Sequence, residues 1–211
     1  VTKGRAFDRL VNFTDAVVAV AATLLVLPIV DIAGDLTETT VWQIIADHAS
    51  QLITFAFTFI VVAVMWQVHN RIFNRMIGYD GVVLRLNIVW LLGIVFLPWA
   101  SKLYGEGIAT EQDRWSGGEG MGGAGLLYWG TLACISVIGA LVAMHVARTP
   151  VLVDPRSEEP ARPPMRGFAF AVAFLVFGIV SLFAPVAASW LPLLLVPLAI
   201  VLGRRVERDV S

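Results

Sequence analysis

Residues 167–202 read GFAFAVAFLVFGIVSLFAPVAASWLPLLLVPLAIVL, a run without one Asp, Glu, Lys or Arg. At about 1.5 Å of rise per residue, a helix of that length far exceeds the ~30 Å hydrocarbon core of a bilayer. Pro185 stands in its middle with Ser189 close behind, so the run divides into two crossing helices joined by a tight turn. The rest of the chain agrees: 58% of its 211 residues are hydrophobic, 15% are charged, and the mean hydropathy is +0.79. A soluble domain carries about 25% charged residues and cannot bury so much apolar surface. The fold class is an all-α membrane protein.

Working outward, Gly120 to Ala147 forms another span and Ala49 to Asn70 another. Leu86 to Ser101 is shorter and extends back through Val82 to Leu84 if Arg85 snorkels or finds a partner. The first run, Ala16 to Val30, lies between Asp15 and Asp31, and it crosses only if helix continues upstream through Phe13 and Leu10. It is too long for the apolar region of a signal peptide and has no small-residue cleavage site before Asp31, so it is expected to stay. The expectation is six transmembrane helices in a single domain over residues 1–211, at approximate spans 8–32, 42–76, 80–103, 123–147, 165–184 and 186–204.

Loop charges orient the spans. Of the 15 Lys and Arg residues, all but Lys102 and Arg114 fall on one side, which places both termini in the cytoplasm, in keeping with an even number of spans. The connectors read simply. Ser116 to Gly125 is mostly glycine and is expected to be a mobile external loop. Val153 to Pro164, with four prolines among charges, reads as an extended cytoplasmic linker.

Several classes drop out. A net charge of -1 excludes a generally basic nucleic-acid binder, and a single cysteine, Cys134, excludes an intramolecular disulfide framework or a Cys-based metal cluster. His48, His69 and His145 are too scattered for a metal site by spacing, and no phosphate loop, nucleophile elbow or zinc-protease motif occurs. The reading is no enzyme, no cofactor and no metal. No clear repeat links the two three-span halves, which argues against an inverted-repeat transporter.

The polar residues inside the spans carry the functional question. Asp15 either caps the first helix or sits within the membrane, where a carboxylate needs a partner; Arg9, six residues upstream, is one, from the same chain or a neighbouring copy. Val20, Leu24, Leu27 and Asp31 share one helical stripe with Thr23 at its edge, while Ala16, Ala19 and Ala22 allow a neighbouring helix to approach closely. The stripe either lines a pore or packs against lipid and protein, and Thr23 either faces that pore or bonds back to the Ala19 carbonyl. Pro28 frees the carbonyl of Leu24 and kinks or loosens the upper half. Trp66 and His69, three apart, share a face and both donate hydrogen bonds, and Asn87 is a further polar group in need of a partner. Arg9, Asp15, Trp66, His69 and Asn87 all lie toward the cytoplasmic ends of three helices, placed to fix how the first helix sits.

The stretch from Arg9 through Phe13, Thr14 and Asp15, followed by Val20, Thr23, Leu24 and Leu27, resembles the first-helix signature of the lysosomal potassium channel family (transmembrane protein 175), in its short prokaryotic form. Thr14 stands where that family carries Ser. Trp66, His69, Arg71 and Phe73 resemble its second-helix motif, and Asn87 with Pro98 its third span; the likeness covers roughly residues 5–103. The resemblance implies a potassium-preferring channel, a homotetramer in the bacterial inner membrane, without a re-entrant pore loop. The first helix of each subunit would line the pore. On this carry-over Val20, Leu24 and Leu27 form the hydrophobic constriction, Thr23 a layer tied to potassium preference, and Arg9, Phe13, Thr14, Asp15, Trp66, His69 and Asn87 the polar network that holds the helix. Asp31 at the pore mouth, with Asp35 and Glu38 nearby, would concentrate monovalent cations. The rival reading is a proton-coupled carrier using Asp15 and His69.

Overall fold

The computed structural model describes residues 1–30, 40–112, 121–157 and 164–183. A short strand β1 (Thr2–Lys3) leads into α1 (Arg5–Leu24), followed by one turn of helix, α2 (Leu27–Val30). Helix α3 (Val41–Asp47) precedes α4 (Ala49–Asn74); β2 (Gly78–Tyr79) then leads to α5 (Gly81–Gln112). After α6 (Met121–Arg148) come a 3₁₀ turn (Pro150–Leu152) and α7 (Met165–Phe183). Five helical segments among the described residues are long and apolar enough to cross a membrane: Arg5–Val30, Ala49–Asn74, Gly81–Gly107, Gly123–Arg148 and Met165–Phe183. The expected sixth span, 186–204, lies outside the described residues, as do Asp31, Asp35 and Glu38.

Several boundaries differ from the sequence expectation for local reasons. The first span is not one helix. It stops at Leu24, turns through Leu25 and Val26, and resumes at Leu27, because Pro28 has no N–H to give the Leu24 carbonyl. The second is divided at His48, which ends α3 and precedes α4, while Thr40 and Gln43 cap the start of the short α3 reciprocally. The third runs on past residue 103 to Gln112 despite Pro98.

The glycine-rich stretch is a correction: α6 begins at Met121, so its last five residues are helix rather than loop. The absence of a side chain there serves packing. A Cβ on Gly125 would collide with the Ser181 side chain of α7, so glycine lets the two backbones meet closely. The linker expectation is also corrected at its start. Leu152 is fully buried, Val153 forms a β-bridge with Met76, and the Asp154 N–H donates to the Arg75 carbonyl at 2.8 Å.

The main core lies between α1, α4, α5, α6 and α7, around Trp90, Ile94, Leu97, Tyr128, Trp129, Leu132 and Ile135. One buried polar pair crosses it. Thr58 gives its hydroxyl proton to the Thr54 carbonyl (2.7 Å), so the Tyr128 hydroxyl is the donor in the 2.7 Å bond to Thr58. Tyr128 in turn stacks on Tyr104 with ring centroids 4.8 Å apart. A second cluster, around Phe7, Phe73, Met76, Val83, Val142, Val146 and Leu152, closes the end of the bundle where β1 and β2 pair.

Candidate functional site: a first helix with two faces

Helix α1 buries Phe7, Thr14, Val18 and Ala21, and Leu25 continues that line just beyond its end. The spacing of seven, four, three and four residues keeps them on one helical face, packed against α5 and, less extensively, α4. The opposite face holds Arg9, Phe13, Ala16, Val20, Thr23, Leu24 and Leu27, all exposed. Val20 is 58% exposed and Leu27 54%, against 6% for Val18 and 1% for Leu25. Among the described residues, Val20, Thr23, Leu24 and Leu27 of the stripe marked in the sequence therefore lie on the exposed face.

A chain of hydrogen bonds fixes the covered face. Thr14 donates to the Leu10 carbonyl (2.9 Å), which commits its one proton, so its oxygen accepts from Asn87 Nδ2 at 2.8 Å. Asn87 Oδ1 is then the acceptor facing His69 Nε2, also at 2.8 Å, and this assigns the imidazole proton to Nε2. Thr14, His69 and Asn87 are all buried, from 3% exposed to none. His69 is held flat against Trp90, with centroids 4.0 Å apart and planes 7° from parallel, and lies 4.7 Å from the Phe73 ring. Its Nδ1 is buried without a hydrogen-bond partner among the described residues. Beside this chain Trp66 Nε1 donates to the Asp15 carboxylate at 2.8 Å.

The structure thus brings together Thr14, Asp15, Trp66, His69 and Asn87, from α1, α4 and α5. It does not bring in Arg9 or Phe13, which stand on the exposed face, and Trp66 rather than Arg9 holds Asp15. Asp15 and His69 are bonded to different partners. Thr23 bonds back at 2.7 Å to the Val20 carbonyl, not to that of Ala19, which leaves its methyl and its oxygen lone pairs on the exposed side.

Two polar contacts had no counterpart in the sequence reading. Asp80 Oδ1 accepts from the N–H groups of Val82 (3.0 Å) and Val83 (2.9 Å) and so caps α5. An Asp directly before an apolar helical run is a helix-start signal, so that role was legible. Its other oxygen meets His145 Nε2 at 2.8 Å, a pairing across 65 residues that no spacing rule reaches. Burial alone would push the Asp80 carboxyl up; the Val83 N–H, the His145 bond and charge, and the Val82 N–H outweigh it and hold the group below its ordinary range. No group of three metal-binding side chains occurs among the described residues.

The family described as "Endosomal/lysosomal potassium channel TMEM175" matches residues 9–98, which contain α4, nearly all of α1 and much of α5. A potassium channel of Streptomyces collinus (strain DSM 40733 / Tue 365) is 27% identical over 157 residues, 72% of this chain and 70% of that protein. Proteins named endosomal/lysosomal proton channel TMEM175 are 28% identical over 138 residues in Danio rerio and 26% over 154 residues in Homo sapiens. Those alignments take in 65% and 73% of this chain but span only 24% and 28% of the vertebrate proteins. A crystal structure described as a lysosomal potassium-selective channel TMEM175 homolog from Chamaesiphon minutus superposes with a TM-score of 0.66. It covers 96% of this chain and 98% of its own, at 20% identity, a likeness of fold.

Proposed function

From the chain's place as a relative of the TMEM175 family of channels, we propose that it is a potassium-preferring cation channel whose pore is walled by the exposed face of α1. The observation that carries this reading is the division of α1 into a hydrogen-bonded covered face and an uncovered face of mixed small, aliphatic and hydroxyl side chains. Four copies in a bacterial inner membrane would bring these faces to one axis, each chain with six spans and both termini in the cytoplasm. On this reading residues 186–204 would supply the sixth span.

In that arrangement Val20, Leu24 and Leu27 form apolar rings that gate by dewetting, with Thr23 as the hydroxyl layer between them. Branched aliphatics offer no carbonyl cage to replace a hydration shell, so selectivity is modest and favours potassium because it sheds water more cheaply than sodium. Val20 is small, and the narrowest ring falls at whichever of the three levels the tetramer closes most tightly. Asp31 forms an acidic mouth. The network of Thr14, Asp15, Trp66, His69 and Asn87 touches no ion; it holds α1 at a fixed rotation, so that the aliphatic stripe and not the polar one meets the axis. Arg9 and Phe13 stand on the stripe itself and pack against the neighbouring copy. No cofactor enters this scheme.

Bilayer recording of the purified protein under opposed potassium and sodium gradients tests the reading. Unitary currents with a reversal potential displaced toward potassium are expected. A reversal at zero removes the potassium preference, and a reversal that follows a proton gradient assigns the pore to protons, the ion in the vertebrate relatives' names. Saturating flux without unitary currents turns the assignment to a carrier working through Asp15 and His69.

A further inference from the structure

The turn between α4 and α5, residues 75–80, is gripped from three directions. On one side β2 pairs antiparallel with β1, Thr2 opposite Tyr79 and Lys3 opposite Gly78. Only Gly4 separates β1 from α1; its φ of +64° turns the strand into the helix, and its carbonyl accepts the N–H groups of Phe7 and Asp8. Phe7 then stacks on Phe73 and lies 6.4 Å from the Tyr79 ring. The inner end of α1 is thereby attached to the turn through both backbone and side chain.

On the other side, the segment after α6 is attached to the same turn. The Ile77 N–H donates to the Leu152 carbonyl (2.9 Å), the Asp154 N–H to the Arg75 carbonyl (2.8 Å), and Val153 bridges Met76. Third, the Asp80 carboxylate that caps α5 is bonded to His145 near the end of α6. A six-residue turn is therefore paired through its backbone both with β1, at the start of α1, and with residues 152–154 after α6. The contact at Gly78 is tight: a Cβ there would lie 2.5 Å from the Thr2 carbonyl oxygen and 2.8 Å from Lys3 Cγ, so the strand pair admits only glycine at this position.

We propose that this turn is a clasp that transmits the position of residues 149–157 to the N-terminal end of α1, with His145, Gly78 and Asp154 as positioning residues that set the open fraction of the pore. The proposal rests on α1 lining that pore. It needs no large motion, because α1 is held at its inner end by β1, Phe7 and the Thr14–Asn87–His69 chain. Releasing one of these shifts a balance between two arrangements of the helix rather than deforming it continuously.

The full chain in planar bilayers tests this with four variants. Asp154→Pro deletes one N–H of the linker grip, His145→Ala removes the partner of Asp80, and Gly78→Val pries β1 from β2; His145→Gln keeps a donor within reach. Each of the first three is expected to change the open fraction about threefold or more, with unitary conductance and reversal potential as in the wild type, and His145→Gln to restore most of it. Combining Gly78→Val with His145→Ala is expected to add little to either alone, because both act through the one turn. An unaltered open fraction, or an altered unitary conductance, overturns the clasp. Amide exchange separates this from failure of the pore reading. In His145→Ala, protection at Lys3, Phe7 and Asp8 is expected to fall even if no variant, or the wild type itself, conducts; unchanged protection there refutes the mechanical link.

Discussion

The outward faces of α1 and α5 are both exposed, both apolar, and built differently. Along α5 the exposed apolar side chains are large: Ile88, Val89, Leu92, Val95, Phe96 and Trp99. Along α1 the exposed face alternates Ala16 and Ala19 with Val20, Thr23, Leu24 and Leu27 and carries Arg9 and Phe13 toward its N-terminal end. Small residues are of little use against lipid, which conforms to any surface, but they let helices or a narrow passage come close. The covered faces differ too. That of α1 is pinned by directional hydrogen bonds to Asn87 and Trp66, whereas α6 and α7 meet through close apolar packing. The bonds through Asn87 tie α5 as well as α1, so the two helices differ in what their outward faces carry.

The contrast is tested first by moving polarity between the two faces. Leu24→Asn or Val20→Asn is expected to raise ion flux about tenfold by wetting the constriction, while Leu92→Asn on α5 leaves unitary current unchanged; vesicle flux and single-channel recording check both. Equal responses at the two faces would erase the distinction.

Next in size, Asn87→Leu leaves His69 Nε2–H without its acceptor and Thr14 without its donor at buried positions, a cost of about 1–3 kcal/mol. It is expected to lower thermal stability in detergent and to blur the rotation of α1. Trp66→Phe keeps the ring and deletes only the bond to Asp15. Hydrogen bonds within membranes average about 0.6 kcal/mol, so the expected loss is correspondingly smaller by the same measurement.

The smallest effect concerns pH. The Asp80 carboxyl is held below its ordinary value, so it stabilises the folded state above about pH 4 and loses that contribution as pH falls through the depressed folded value. The Asp80→Asn variant keeps the cap of α5 but not the charge. It is expected to be slightly less stable than the wild type near neutrality, by about 1 kcal/mol or less, and equal to it at the acid end, as read from unfolding at a series of pH values.

Hydropathy alone marked the five spans found among the described residues, because a run of apolar residues that long is most stable in a bilayer. The same one-dimensional logic marked Val20, Leu24 and Leu27 as a stripe, since helical periodicity is fixed by backbone geometry. It also singled out Asp15, Trp66, His69 and Asn87, since polar groups in lipid demand partners. What periodicity cannot say is which partner. That Trp66 and not Arg9 takes Asp15, that Asn87 stands between Thr14 and His69, and that His145 reaches back to Asp80 depend on how helices distant in sequence are rotated and paired. The glycine-rich stretch shows the same limit. Its composition spoke for a loop, and only the presence of Ser181 on the neighbouring helix made glycine at 125 a packing residue within a helix. Chain-local physics marked the apolar helical segments in outline; the directional contacts that fix which stripe of α1 is exposed came from the tertiary arrangement, because hydrogen bonds between helices form only once the helices are side by side.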